Sequence, residues 1–388
     1  MDPIPASLRT AGPGRSLPSR PAPAIAAGRT AGANLLVDQA QILDSMLQAV
    51  RGARHVIDVS MYSWLPSGAG LALGEALRAR ARAGVEVNVT LDASGSLQWP
   101  WSAARCYFDG LARDGVRVRR TGSPFDELLL RSVDHRKLLV ADARAAFIGG
   151  MNLAKGYGSW HDAMVRLEGP AAAAAAASFV GGWARAGGGA SPRRDALLAR
   201  HATSSRSAGV QLLENRPAEG EQAATRAVLA RIYGARERVW VQTPFLGDEV
   251  IVRALVAAAR RGVDVRVLVA GRGTFPLLPA LSRTFLPDLL AAGIRVFERP
   301  TMTHKKLVLT DGYVTMGSMN VTRRSRARDV ELTVGLSDRA LVDKVAAMYR
   351  ADQADTKEHG AAGLGASDRI LAARPVASVV RAALGLLA

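Results

Sequence analysis

Cysteine, long apolar runs and acidic charge are all scarce in this sequence. Cys106 is the only cysteine among 388 residues, so neither an intrachain disulfide nor a zinc site built on several cysteines can form. No run approaches the ~20 apolar residues that a membrane-spanning helix needs, and the N-terminus lacks the apolar core of a secretion signal. The sequence therefore predicts a protein of a reducing, cytoplasmic compartment with no membrane-spanning helix.

Basic residues far outnumber acidic ones. The chain has 51 Lys and Arg, of which 45 are Arg, against 34 Asp and Glu, and its formal net charge is +17. Such an excess favours an anionic membrane surface, a nucleic acid or a phosphorylated substrate, although a composition bias spread over a solvated surface is the alternative. Aromatic residues make up only 5%, without the stacking series that single-strand-binding proteins use.

Composition divides the chain into five parts. Residues 1–33 are rich in Pro, Ala, Gly, Ser and Arg without apolar periodicity, which predicts a disordered basic tail. Strands and helices alternate over 34–186 and again over 210–353, and each stretch is predicted to form an α/β domain with a mixed sheet flanked by helices. Residues 187–209 have linker composition.

Residues 354–388 are predicted to form a C-terminal tail that ends in an amphipathic helix, PVASVVRAALGLLA. That helix lies in a membrane interface, beside the arginines around it, or packs on the second domain, or the segment is a frayed tail.

The two domains repeat one another. ARAGVEVNVTLDA from Ala81 matches ARRGVDVRVLVAG from Ala259, and the glycines Gly84 and Gly262 are 178 positions apart. The histidines of the motif described next are only 169 apart. The first half therefore carries nine more residues before its motif, within RTGSPFDELLLRSV, which we interpret as a loop at the rim of the site.

One motif occurs twice: His-x-Lys, four residues, Asp, then Gly-Gly or Gly-Ser, any residue, and Asn. The first copy supplies His135, Lys137, Asp142, Gly149, Gly150 and Asn152, and the second supplies His304, Lys306, Asp311, Gly317, Ser318 and Asn320. Both copies are predicted to be β-hairpins. Because residues two apart on a strand share a face, each His projects with its Lys, and two half-sites predict one site between the halves.

Two imidazoles, two ammonium groups and two carboxamides suit a phosphate group. Lys137, Lys306, Asn152 and Asn320 can hold its non-bridging oxygens without a metal. One histidine can attack phosphorus while the other donates a proton to the departing oxygen, and the spacing does not say which does which.

Four carboxylates accompany the motifs. Asp142 and Asp311 fall near the hairpin turns and are predicted to fix the turns rather than to touch substrate. Asp162 and Glu331 each follow a motif histidine by 27 positions, which predicts that each orients an imidazole. Spacing does not tell whether a carboxylate serves its own histidine or the one in the other half.

These paired motifs resemble those of the phospholipase D superfamily. The segment SWHDAMVRLEGPAA and the region before the second motif are similar to bacterial cardiolipin synthases that lack N-terminal membrane-spanning helices. The resemblance implies two α/β domains related by a pseudo-twofold axis, and no cofactor or metal. It also implies that His135 forms a phosphohistidine, that His304 is the general acid and base, and that Glu331 pairs with His135 and Asp162 with His304.

By the same resemblance, the expected reaction is transfer of a phosphatidyl group between two phosphatidylglycerol molecules, at the cytoplasmic face of the inner membrane and without an obligate protein partner. A phospholipase D hydrolase or a phosphodiesterase nuclease on the same scaffold is the alternative, and nucleic acid remains an alternative partner. A noncatalytic lipid- or nucleic-acid-binding protein is the third hypothesis. Because the first copy has Gly150 where the second has Ser318, a hydroxyl contact is expected on one side at most.

Overall fold

The computed structural model describes residues 32–97, 101–153, 160–202, 209–273, 278–360, 370–371 and 373–384. The first half contains, in chain order, β1 (Ala33–Val37), α1 (Gln39–Gly52), β2 (Val56–Met61), α2 (Ala69–Arg82), β3 (Glu86–Asp92), α3 (Ala93–Ser96), α4 (Trp101–Arg113), β4 (Arg117–Thr121), β5 (Lys137–Ala141), β6 (Ala145–Gly149), β7 (Ala163–Glu168), α5 (Pro170–Arg185) and α6 (Pro192–Ala202).

The second half contains β8 (Val210–Arg216), β9 (Glu221–Gln222), α7 (Ala223–Gly234), β10 (Arg238–Gln242), β11 (Leu246–Gly247), α8 (Glu249–Arg260), β12 (Asp264–Ala270), α9 (Leu278–Arg283), α10 (Leu286–Ala291), β13 (Arg295–Arg299), β14 (Leu307–Thr310), β15 (Tyr313–Gly317), β16 (Val321–Thr322), α11 (Arg323–Ala327), β17 (Glu331–Leu336), α12 (Arg339–Ala354), β18 (Lys357–His359) and α13 (Arg374–Leu384).

Both halves contain the same seven-stranded mixed sheet. The first sheet has the order β1-β7-β6-β5-β2-β3-β4, and the second repeats it as β8-β17-β15-β14-β10-β12-β13. In each half the three strands at one side are parallel, and the remaining neighbours are antiparallel. The second sheet is extended by β9 at one edge and β18 at the other. The prediction of two similar α/β domains is confirmed.

Three apolar cores hold these layers together. Helices α1, α2 and α4 cover the outer face of the first sheet, and α7, α8, α9 and α10 cover that of the second. Between the sheets, α5 and α12 pack with strands of both halves in a single core that includes Phe179, Trp183 and Val345. Phe179 and Trp183 stack at 5.8 Å between ring centroids, as their spacing of four on one helical face predicts.

Local sequence explains the elements that lead to the site. All six side chains of β2, VIDVSM, are buried, as expected for a strand covered on both faces. Gly84 and Gly262 end the helices before β3 and β12 with φ of 84° and 88°, a conformation that favours glycine. The matched glycines therefore set the same helix-to-strand turn in both halves.

Two segments predicted to be a linker and a tail contain secondary structure that packs on the domains. The predicted linker, 187–209, contains helix α6, which packs on the first domain through Leu197 and through a bidentate ion pair between Arg194 and Asp58, with both distances 2.8 Å. The two residues of this ion pair are 136 positions apart, so the composition of the segment could not reveal it. The predicted C-terminal tail begins with β18, which pairs with β13 in the second sheet. The predicted disordered tail lies outside the described residues except for its end, where Ala33 starts β1.

The C-terminal helix α13 contacts the second domain. Its Ala377 is buried, and the guanidinium of Arg381 lies 3.9 Å from the ring centroid of Phe285 and donates to the hydroxyl of Thr284 at 3.1 Å. Arg381 therefore faces the protein. Across the described residues, no helix is both long enough and apolar enough to cross a membrane.

The motif aspartates fix neighbouring strands rather than their own turns. The carboxylate of Asp142 accepts backbone N–H bonds from residues 54, 55 and 56, at 2.7, 2.8 and 2.9 Å, immediately before β2. Asp311 accepts the matching bonds from residues 236, 237 and 238, at 2.9, 3.1 and 3.0 Å, before β10. Each aspartate therefore has a structural role, as predicted, but it fixes the start of a strand more than 70 residues away in sequence rather than its own hairpin turn.

Candidate active site

The two motifs meet where the halves join. The predicted hairpins are present as β5–β6 and β14–β15, but the histidines lie in extended segments just before them. The backbone N–H of His135 donates to the carbonyl of Val330 at 2.9 Å, and that of His304 donates to the carbonyl of His161 at 2.7 Å. Each motif is therefore joined to the opposite half by a short backbone bridge.

Each imidazole is held by a carboxylate from the other half. His135 Nδ1 lies 3.0 and 3.2 Å from the two oxygens of Glu331, and His304 Nδ1 lies 2.8 Å from Asp162 Oδ2. This is the crosswise pairing that the resemblance implies. The bridges explain it, because the two bridging residues, Val330 and His161, immediately precede the two carboxylates. With Nδ1–H as donor, the lone pair of each ring lies on Nε2.

The residue after the motif glycine differs between the halves because the two carboxylates differ. Ser318 Oγ donates to Glu331, and Ser325 Oγ donates to the same carboxylate at 2.7 Å. At Gly150 an added Cβ would lie 2.5 Å from Asp162 Oδ1, which leaves no room for a side chain. A hydroxyl contact at this position is therefore present on one side, at Ser318, within the expected limit of one side at most. Ser325 was missed from sequence, because its contact depends on how α11 turns back toward β17.

The first motif glycine is required in both halves. A Cβ at Gly149 would lie 2.5 Å from the carbonyl oxygen of Ala163 on the adjacent strand β7, and one at Gly317 would collide with the carbonyl of Leu332 on β17. The glycines allow a close approach of β17, which begins with Glu331, and of β7, which Asp162 immediately precedes, so that both carboxylates reach the histidines.

The two motif lysines are buried. Lys137 Nζ donates to the carbonyl of His135 at 2.7 Å, and Lys306 Nζ donates to the carbonyl of His304 at 2.8 Å. Burial lowers the pKa of Lys137 to about 8 and that of Lys306 to about 7. Because burial disfavours the charged form of both lysines, an anion bound beside them would stabilise their ammonium groups.

Burial and the lysines together set the state of the histidines. Burial first, and then the charges of Lys137 and Lys306, hold the pKa of His135 well below its usual value. Burial and Lys306 likewise lower the pKa of His304 to about 4, against the opposing effect of Asp162. Each imidazole is therefore neutral in the free protein at pH 7. Lysines from both halves act on each ring, so the two motifs share one site.

The motif asparagines have buried hydrogen-bonding capacity to spare. Among the described residues, the side-chain oxygens of Asn152 and Asn320 have no hydrogen-bond partner. A carboxamide oxygen only accepts hydrogen bonds, so the predicted contacts to a phosphate would have to come from the Nδ2 groups of these side chains, and those contacts stay a prediction.

Two aromatic rings beside the histidines were not found from sequence. Tyr62 packs edge-on to His135 at 4.6 Å between centroids, and Trp160 lies over His304 at 4.9 Å. Tyr62 directly follows β2, and Trp160 comes shortly before an orienting carboxylate, so position relative to those elements was the available signal. Within the described ranges, no group of three or more His, Cys, Asp and Glu side chains is arranged to hold a metal ion.

Comparisons with known proteins place the chain in a family. The family model described as "Cardiolipin synthase, PLD-like domain" matches residues 46–181 and 228–352. Cardiolipin synthase A of Pseudomonas putida strain GB-1 is 32% identical over 334 residues, covering 84% of this chain and 69% of the relative. Cardiolipin synthase A of Pseudomonas aeruginosa strain LESB58 is 32% identical over 337 residues, covering 84% and 67%.

Solved structures share the fold. Phosphatidylserine synthase of Haemophilus influenzae Rd KW20 matches with a TM-score of 0.70 at 14% identity, over 93% of this chain and 96% of that chain. Polyphosphate kinase of Porphyromonas gingivalis matches with a TM-score of 0.57 at 13% identity, over 90% and 55%. At these identities the likeness concerns the fold alone.

The duplicated domain, the shared site and these matches define the class of the protein as an enzyme of the phospholipase D superfamily. Within that superfamily, the chain belongs to the cardiolipin synthase family of phospholipase D-like proteins.

Proposed function

We propose that this protein is a phosphatidyltransferase of the cardiolipin synthase type, which transfers a phosphatidyl group from one phosphatidylglycerol to another at a membrane surface. The observation that carries the proposal is the crosswise pairing of each histidine with the other half's carboxylate, at 3.0 Å for Glu331 and 2.8 Å for Asp162. Both imidazoles are thereby fixed with Nε2 as the reactive nitrogen.

In the first step, Nε2 of His135 attacks the phosphorus of phosphatidylglycerol. The bond from phosphorus to the headgroup glycerol oxygen breaks, and that oxygen takes a proton from His304, so a phosphohistidine and free glycerol result. His135 suits the attack because its low pKa keeps the imidazole neutral. As His135 gains positive charge, Glu331 stabilises it.

In the second step, a hydroxyl of the second phosphatidylglycerol attacks the phosphohistidine. His304 accepts the proton of that hydroxyl, and the bond from phosphorus to Nε2 of His135 breaks, which gives cardiolipin and regenerates the protein. Lys137, Lys306, Asn152 and Asn320 hold the non-bridging oxygens during both steps. The bound anion restores the positive charge of the lysines and raises the pKa of His304, so that it can carry the proton.

Two observations support transfer to an alcohol rather than hydrolysis. The site is buried, and the similar proteins are cardiolipin synthases. Both lysines are buried, and the side chain of His135 is only 11% exposed. Such a site limits the access of water to the phosphohistidine.

Purified protein and phosphatidylglycerol vesicles, followed by mass spectrometry of the lipids, test the proposal. We expect cardiolipin from wild type, none from His135→Ala or His304→Ala, and wild-type amounts from the control His55→Ala, because the side chain of His55 is exposed. Phosphatidic acid as the sole product would make the protein a hydrolase. An unchanged lipid profile would contradict the proposal, and a labelled oligonucleotide would then be the next substrate.

A further inference from the structure

An apolar turn stands beside the site on the first half only. It comprises residues 123–131, within the nine-residue excess of that half. Phe125, Leu128 and Leu129 are 45%, 73% and 55% exposed. In the described part of the chain seven large apolar side chains are exposed, and these three lie within five residues. A cluster of exposed apolar side chains marks a candidate surface for contact with a partner or a membrane.

The backbone of the turn fixes these side chains on one face. The N–H of Leu129 donates to the carbonyl of Phe125 at 2.8 Å, and the N–H of Arg131 donates to that of Asp126 at 2.7 Å. The three apolar positions therefore have the i, i+3, i+4 spacing of one helical turn, which places them together.

The acidic groups of the apolar turn point inward. Asp126 is buried and accepts the N–H of Ser123 at 2.7 Å, while Glu127 accepts the hydroxyl of Tyr62 at 2.7 Å. The ring of Tyr62 in turn contacts His135. The turn is thus connected to the reactive histidine through one side chain.

Arginines surround the base of the apolar turn. Arg131 belongs to the turn and its side chain is 66% exposed. From the second half, Arg324 donates to the carbonyl of Arg131 at 2.8 Å, and Arg328 donates to the carbonyl of Leu130. Arg323, in the same helix α11, is exposed. Arg324 is buried and paired with Asp329, so the exposed arginines of this group are Arg131, whose guanidinium lies 3.6 Å from the carboxylate of Asp126, and Arg323. An apolar tip beside exposed arginines is complementary to anionic lipid headgroups over an acyl layer.

We propose that the apolar turn inserts into an anionic phospholipid bilayer and holds the active site at its surface. The inference rests on the proposed function for the identity of the substrate. It differs from anchoring by α13, because Ala377 and Arg381 of that helix face the protein. Val379 of the same helix is exposed, and its substitution tests the alternative that α13 is the anchor.

Vesicle flotation tests the contact without requiring turnover. Full-length protein is mixed with vesicles of equal parts phosphatidylglycerol and phosphatidylcholine, or of phosphatidylcholine alone. We expect wild type to float with the anionic vesicles, and L128S/L129S to bind them about tenfold more weakly or worse. Val379→Ser and Tyr233→Ser are matched controls, because both side chains are more than half exposed and lie elsewhere. Both should float like wild type.

Equal flotation of L128S/L129S and wild type would overturn the inference, as would a loss in Val379→Ser equal to that in the double variant. Activity on dihexanoyl phosphatidylglycerol below its micelle concentration separates contact from chemistry. There L128S/L129S should match wild type, and a loss on this soluble substrate would assign the turn to the active site instead. If wild type floats with the vesicles but makes no product, the result would contradict the proposed function while still supporting the membrane contact.

Discussion

The two halves share a sheet order, a motif and a matched aspartate, but the surroundings of their histidines differ. His135 is paired with the longer carboxylate, Glu331, which two serine hydroxyls also bind. His304 is paired with the shorter Asp162, against Gly150. Only the first half carries the apolar turn. The repeat explains the common frame of the site, and differences at matched positions, Glu331 against Asp162 and Ser318 against Gly150, give the two imidazoles different surroundings.

The largest effect should come from the two orienting carboxylates. The Glu331 carboxylate accepts hydrogen bonds from His135, Ser318 and Ser325. Glu331→Gln replaces one accepting oxygen by an N–H donor, and we expect kcat to fall by roughly a hundredfold or more. Asp162→Asn, whose carboxylate faces one imidazole and the N–H of Ala163, should lose less. Steady-state kinetics on phosphatidylglycerol vesicles measure both. Equal losses would remove the proposed difference between the histidines.

Substitution of the two motif aspartates compares the halves by their contributions to the free energy of unfolding. Asp142→Ala leaves three backbone N–H groups without an acceptor at a buried position, and we expect the free energy of unfolding to fall by about 3 kcal/mol. Asp311 is less buried, so Asp311→Ala should lose about half as much. Chemical denaturation measures both values. A larger loss at Asp311 would contradict this account of the two strand starts.

Exchanging the residues after the first motif glycine tests the asymmetry directly. Gly150→Ser forces Asp162 away from His304, so activity should fall about tenfold or more, because the pair loses its geometry. Ser318→Gly removes one of the hydroxyl donors to Glu331 and should reduce activity several-fold. Thermal unfolding of both variants serves as the control for folding. Unchanged activity in Gly150→Ser would show that the carboxylate tolerates a shift.

The smallest effect concerns pH. The free protein loses the charge of Lys306 as pH rises through about 7 and that of Lys137 through about 8. We therefore expect kcat/KM to decline several-fold between pH 7 and 9, and kcat to decline less, because bound phosphate keeps the lysines protonated. Lys306→Arg should move the start of the decline to about pH 8, where Lys137 titrates. A flat kcat/KM up to pH 9 would contradict these lysine pKa values.

Much of the frame could be predicted from the sequence because it is repeated. Matched glycines and alternating apolar segments gave the two mixed sheets, and the spacing of 27 singled out Asp162 and Glu331. Which carboxylate reaches which histidine depends on backbone bridges between segments more than 140 positions apart, a contact that no local pattern records.

The parts that sequence reasoning missed depend on long-range contacts. The pair of Arg194 with Asp58 holds the helix of the predicted linker against the first domain, and the contact of Arg381 with Phe285 holds the C-terminal helix against the second. The strand starts held by Asp142 and Asp311 are also more than 70 positions away from these aspartates in sequence. Ser325 and Tyr62 come from elements outside the motifs, and only their placement beside the histidines reveals their part in the site.

The most direct test of the account is the site of covalent attachment. Wild-type protein is incubated briefly with phosphatidylglycerol, denatured at alkaline pH and digested, and the peptides that contain His135 and His304 are analysed by mass spectrometry. The account predicts a phosphatidyl adduct on His135, and none on either histidine in His135→Ala. An adduct on His304 in the wild type, or cardiolipin synthesis by His135→Ala, would contradict it.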